Sequence, residues 1–71
     1  MKIFFYDICY GDKGIIIAES IERAIEMFQE DYPDVDPYNY DPSELDNGYK
    51  QGSTIDEICE YDGKEKLCFI I

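Results

Sequence analysis

A chain of 71 residues carrying 17 acidic against 6 basic side chains, a net charge of −11, has room for one small domain and too much negative charge to hold a phosphate backbone or an anionic membrane. It contains no histidine, which removes the commonest general base, the commonest metal ligand and the Ser-His and Cys-His nucleophile pairs, so no enzyme and no cofactor are expected. A hydrophobic content of 45% still supplies a core and argues against a disordered chain.

Lys2 to Tyr10 reads as a strand, with Phe4, Tyr6, Ile8 and Tyr10 on one face and Ile3, Phe5, Asp7 and Cys9 on the other. Both faces are largely apolar, which predicts a place inside a sheet. Gly11-Asp12-Lys13-Gly14 offers two glycines able to take positive φ before the β-branched run Ile15-Ile16-Ile17, so the first two strands are expected to form a hairpin. Ser20 is a good N-cap, and Ile21, Ala24, Ile25 and Phe28 recur at helical spacing, predicting an amphipathic helix from Ile21 to Asp31 that Pro33 ends. Glu19 is spaced to pair with Arg23 across one turn, and Glu22, Glu26 and Glu30 stand four apart on the polar side.

Residues 31–52 read as a long connection in which three prolines fix φ and remove backbone donors. After it, Ile55 to Tyr61 and Lys64 to Ile71 flank Asp62-Gly63, a two-residue turn signal, and predict a second hairpin with Ile58 opposite Leu67 and Ile55 opposite Ile70. Thr54-Ile-Asp-Glu57 also fits a helix capping box, but so short a segment ending in Asp-Gly favours a strand. The expected architecture is α+β: a two-layer sandwich in the order β-β-α-β-β, one amphipathic helix on an antiparallel sheet, forming a single domain over residues 1–71.

Cys9, Cys59 and Cys68 form no C-x-x-C pair, and Met-Lys-Ile-Phe-Phe lacks the long apolar run of a secretory signal. Both features point to a reducing cytoplasm, and no apolar run reaches the ~18 residues of a membrane span. Asp34 to Leu45 compares poorly with a calcium loop: the fifth position is Tyr38, the sixth is Asn39 where glycine makes the turn, and the twelfth is Leu45 in place of a bidentate Glu. No metal site is assigned.

The segment Glu30 to Tyr49 concentrates seven carboxylates, four tyrosines and all three prolines without one positive charge. Tyrosine provides large, stiff contact area with a polar tip, and carboxylates steer basic surfaces. Tyr32, Tyr38, Tyr40 and Tyr49 lie among these acids, whereas Tyr6, Tyr10 and Tyr61 fall on strands and read as core or sheet cover. The helical glutamates repel one another by a few tenths of a kcal/mol per pair and gain the helix nothing. Their stride of about 6 Å resembles a row of phosphates, although a duplex carries a charge about every 1.7 Å and mimicry needs a second row. The partner-binding set is therefore Glu22, Glu26, Glu30, Asp34, Asp36, Tyr38, Tyr40, Asp41, Glu44 and Asp46.

The opening Met-Lys-Ile-Phe-Phe hairpin, the helix ending in Glu-Asp-Tyr-Pro and the closing Ile-Asp-Glu-Ile segment with Asp-Gly resemble, over residues 1–33 and 54–71, the small accessory proteins of bacterial phages and mobile elements. Among these the likeness in size, layout and charge is to acidic anti-CRISPR inhibitors. It implies a non-enzymatic inhibitor, a DNA mimic, that in the cytoplasm of a host cell occupies the positively charged groove of a basic nucleic-acid-handling protein such as a CRISPR effector. It transfers no functional residue. The alternative is a self-associating structural or regulatory subunit, a homodimer through the Leu67 to Ile71 edge, whose acidic surface serves solubility.

Overall fold

The computed structural model describes residues 1–45 and 48–70. β1 (Lys2–Ile8) and β2 (Lys13–Ala18) pair antiparallel, with Phe4 opposite Ile16 and Tyr6 opposite Gly14. α1 (Ile21–Asp31) follows, then β3 (Val35–Asp36), a 3-10 turn (Pro42–Glu44), β4 (Gln51–Glu60) and β5 (Lys66–Phe69). The strands form one sheet in the order β3-β4-β1-β2-β5. β1 is thus interior, as its two apolar faces require. Its neighbours run antiparallel, but the short β3 lies parallel to β4, so the sheet is mixed.

α1 begins where expected because the Ser20 hydroxyl accepts the Arg23 amide at 3.2 Å. It closes with the Tyr32 amide donating to the Phe28 carbonyl at 2.8 Å, and Pro33 disfavours a helical Tyr32. Its buried residues, Ala24 and Phe28, pack on the sheet face made by Phe4, Tyr6, Ile8, Ile16 and Ala18, with Val35 completing the core. Each fully buried large apolar side chain contributes about 1.5–3 kcal/mol. Tyr6, Phe28 and Tyr32 pack edge-on or tilted, with centroid separations of 5.3 Å for Tyr6–Phe28, 5.5 Å for Tyr6–Tyr32 and 5.1 Å for Phe28–Tyr32. The core also holds a polar chain: Tyr32 donates to Asp12 at 3.1 Å, which leaves Tyr6 as the donor in the 3.0 Å bond between the two phenols. Burial, followed by that bond, pushes the Tyr6 phenol far above its ordinary range.

Three expectations are corrected. The C-terminal hairpin does not form. β4 pairs with β1 and β5 with β2, at opposite ends of the sheet, so Ile55 lies opposite Tyr6 and Leu67 opposite Ile16. The reason is that β1 and β2 are apolar on both faces and each gains a second neighbour this way. Residues 61–65 cross between, fastened by the Tyr61 amide on the Met1 carbonyl at 2.9 Å and by Glu65 on Arg23, and Gly63 is there to accept the Tyr61 ring. Ile58 is the extra residue of a bulge between Cys59, which faces Ile3, and Glu57, which faces Phe4, and it is exposed.

The first turn also differs. Neither Gly11 nor Gly14 takes positive φ; Tyr10 does, at 59°. Gly14 serves another purpose, since a Cβ there would stand 2.5 Å from the Tyr6 hydroxyl and against the Cys68 carbonyl. The third correction concerns Arg23, which pairs with Glu65 at 2.7 Å and with Glu26 at 3.5 Å, and not with Glu19.

The second face of the sheet carries no helix. Ile3, Phe5, Ile15 and Cys68 are half-buried there and Ile17 is buried. At the β5 edge of the sheet Phe69, on the helix side, and Ile70, on the helix-free side, are exposed, while Ile71, the last residue of the expected edge, falls outside the described residues.

Candidate functional site

The beginning of β4 gathers two segments far apart in sequence. The Cys9 amide donates to the Gly52 carbonyl at 2.8 Å, and the Gln51 side-chain amide donates to the carbonyls of Cys9 and Tyr10 at 3.1 and 3.2 Å. The same strand holds the acidic loop: the Ser53 amide reaches the Asn39 carbonyl at 3.2 Å and its hydroxyl donates to the Asp36 carbonyl at 2.7 Å. Gly52 permits this, because a Cβ would meet the Asn39 carbonyl oxygen and lie 2.7 Å from that of Tyr40. The β1–β2 tip and residues 36–40 therefore share one anchoring strand at one end of the sheet.

Exposed tyrosines gather at this end. Tyr10 is 93% exposed at the tip, where the Gly11 amide closes a turn on the Ile8 carbonyl at 3.0 Å. A left-handed backbone at a residue with a Cβ costs roughly 1–2 kcal/mol, so the fold holds this ring outward at some expense. Tyr38 is 74% exposed and Tyr40 is exposed beside Asp7, Cys9 and Tyr10. The Tyr40 phenol is raised above its ordinary range, first by the Asp7 charge and then by desolvation, so it stays a neutral donor at physiological pH. Asp7 has one carboxylate oxygen without a hydrogen bond and only a 4.0 Å contact to Lys13.

The loop acids divide into two groups. Asp34, Asp41 and Glu44 are exposed. The Ser43 amide donates to Asp41 at 2.9 Å and holds its carboxyl below the ordinary range, which keeps it ionised. Asp36, assigned above to the partner-binding set, is corrected: it is only 4% exposed and accepts the Tyr38 amide at 2.8 Å and the Asn39 side chain at 3.0 Å. Its carboxylate shapes the loop that presents Tyr38 and is withdrawn from contact with any partner. Asp46 lies outside the described residues.

On α1 the side chains of Glu22, Glu26 and Glu30 are exposed, as the spacing predicts, although Glu26 shares Arg23. The last turn holds Glu30 and Asp31 and no basic residue, the sign that a helix C-terminus disfavours. Two tyrosines change places relative to the sequence reading. Tyr32 is half-buried against Tyr6 and Phe28, and Tyr10, read as sheet cover, is the most exposed large hydrophobic residue described. Strand alternation alone continued through Tyr10; the turn that begins at Cys9 was hidden by the glycines that follow. Tyr49 is half-buried and accepts the Gln29 amide at 3.3 Å.

Among the described residues no ligand-sized pocket opens, no group of three His, Cys, Asp or Glu side chains converges for a metal, and no helix is long and apolar enough to cross a membrane. Comparison with family models, with curated proteins and with solved structures gives no match.

Proposed function

We propose that the chain is a non-enzymatic binding module that docks its tyrosine-bearing end into the basic groove of a nucleic-acid-handling protein, in the manner of an anti-CRISPR inhibitor. The observation that carries this reading is the trio Tyr10, Tyr38 and Tyr40, exposed on anchored backbone, with Asp7 beside Tyr40 and with Asp34, Asp41 and Glu44 exposed on the same acidic loop. A tyrosine ring has few rotatable bonds to fix on binding, and each phenol can meet a lysine or arginine with its face or its hydroxyl. The carboxylates steer encounter, with Glu22 and Glu30 on α1 extending the field. A phosphate-like row is a secondary element of this reading, since Glu26 already shares Arg23 and Asp36 is buried.

The test uses CRISPR effectors and other nucleic-acid-handling proteins loaded with fluorescent DNA. The expected result is displacement of DNA that weakens steeply with salt, at least tenfold weaker for a Tyr10→Ala/Tyr38→Ala double variant and slower in onset for Glu22→Lys/Glu30→Lys. Displacement by none of the panel, or displacement indifferent to both variants, sinks the proposal.

A further inference from the structure

Among the described residues the β5 edge of the sheet faces no further strand and has an apolar surface, and we infer that a second copy of this chain covers it, pairing β5 with β5 antiparallel about a two-fold axis at Cys68. The register follows from the ladder. The Ile70 amide donates to the Lys13 carbonyl at 2.5 Å, and Cys68 and Lys66 lie opposite Ile15 and Ile17 in the same register. Antiparallel ladders alternate, so Lys66, Cys68 and Ile70 turn their N–H and C=O groups toward β2, while Leu67 and Phe69 turn theirs outward. Among the described residues those outward groups meet no strand, and Phe69 and Ile70 are 65% and 58% exposed.

A two-fold axis at Cys68 uses both free rungs at once. Leu67 of one copy exchanges hydrogen bonds with Phe69 of the other, and the reverse pair repeats it, so each exposed Phe69 ring comes beside a Leu67 that already packs against the core. Moving the axis to Leu67 would instead set Phe69 against Glu65, which Arg23 holds on its own chain. With the axis at Cys68, the row Phe5, Ile15, Cys68 on the helix-free face continues into the same row of the second copy. Charge favours this edge over any other: β5 and the residue on either side of it carry Lys66 and Glu65, whereas the outer half of β4 carries Asp56, Glu57 and Glu60. Copies with net charge −11 repel through most of their surface, and this edge is the stretch of sheet where that repulsion is least. The inference does not depend on the proposed function, which concerns the β1–β2 tip and the loop held by the start of β4.

The register makes a sharp prediction, because facing Cys68 residues form a non-hydrogen-bonded pair with Cα atoms about 4.5 Å apart, inside the range of roughly 4.4–6.8 Å that a disulfide spans. Reduced protein is measured by sedimentation equilibrium from micromolar to millimolar concentration. It is then treated with diamide in a Cys59→Ser background, where each thiol gives up a proton and an electron to the diamide as the S–S bond forms. The expected results are a species of twice the 8.3 kDa chain mass and a link between Cys68 and Cys68. Phe69→Lys should weaken association at least tenfold and abolish the link. Phe69→Pro, which removes only an outward N–H and leaves the ladder to β2, should do the same, with circular dichroism showing both variants folded. A chain monomeric throughout, a dimer that survives both substitutions, or a dimer in which Cys68 does not link overturns the inference, as does a monomer whose β5 edge takes an unrelated extended peptide.

Discussion

The two edges of the sheet solve the same problem in opposite ways. Along β4, unpaired beyond its first residues, the chain sets Asp56, Glu57 and Glu60, a bulge at Ile58 and the two-residue β3, which together discourage another strand. Along β5 it sets Leu67, Cys68, Phe69 and Ile70 with no further strand among the described residues in front of them. A net charge of −11 therefore describes no part of the surface well: the acids guard one edge and crowd the loop that carries Tyr38 and Tyr40, and the other edge carries few of them. Solubility alone would require neither the gap nor the guard.

Each edge hangs on one glycine, and substituting them separately should break the comparison most strongly. Gly52→Ala drives a methyl group into the Asn39 and Tyr40 carbonyls, and Gly14→Ala drives one into the Tyr6 ring and the Cys68 carbonyl. Both contacts involve backbone that cannot turn aside. Each should cost about 2–3 kcal/mol or more in urea unfolding. The consequences should then part: Gly52→Ala loosens the loop bearing Tyr38 and Tyr40 and impairs DNA displacement, while Gly14→Ala disturbs β5 and impairs self-association. Equal losses of both activities in both variants would mean that the edges are not independent.

A smaller effect is expected from the polar chain in the core, which belongs to neither edge and serves as the control. Tyr32→Phe leaves the buried Tyr6 hydroxyl unpaired and should cost about 1–3 kcal/mol, whereas Tyr6→Phe removes the donor and should cost about 0.5–1.5 kcal/mol. The pH dependence has a definite sign. Folded Tyr6 and Tyr32 have raised pKa values, chiefly through burial, so the folded state holds protons that the unfolded state releases. Their contribution to stability is complete below the unfolded value of about 10 and is lost as pH rises above it. Unfolding followed between neutral and strongly alkaline pH should show that fall, and Tyr6→Phe should flatten it. Neither variant should alter the edge activities beyond its effect on stability.

Local signals were legible where local chemistry decides. Ser20, the stripe ending at Phe28 and Pro33 mark α1, and the alternation of residues 2–8 marks an interior strand. What could not be read was which strands would meet. Asp62-Gly63 satisfies the rule for a tight hairpin, but the apolar faces of β1 and β2 compete for the same two strands and gain more by separating them. At the site, charge and exposure of Glu22, Glu30, Asp34, Tyr38, Tyr40, Asp41 and Glu44 follow from polarity alone. The burial of Asp36 follows from hydrogen bonds to its own loop, and the exposure of Tyr10 from a turn that begins at Cys9, two residues earlier than the glycines suggest.

Tyr10→Gly carries the smallest change in stability and separates folding from recognition most cleanly. Glycine enters the left-handed region freely, so the variant relieves the strain at φ 59° while losing some backbone entropy. The net should be a gain of about 0.5–1 kcal/mol, seen as a higher urea midpoint at unchanged slope. The ring it removes touches little of the fold, being 93% exposed. Displacement of DNA should nevertheless weaken severalfold, while self-association through β5 stays as it was. A variant that is both more stable and fully competent in displacement would show that the strain at Tyr10 serves something other than the docking end, and would move that ring out of the proposed contact.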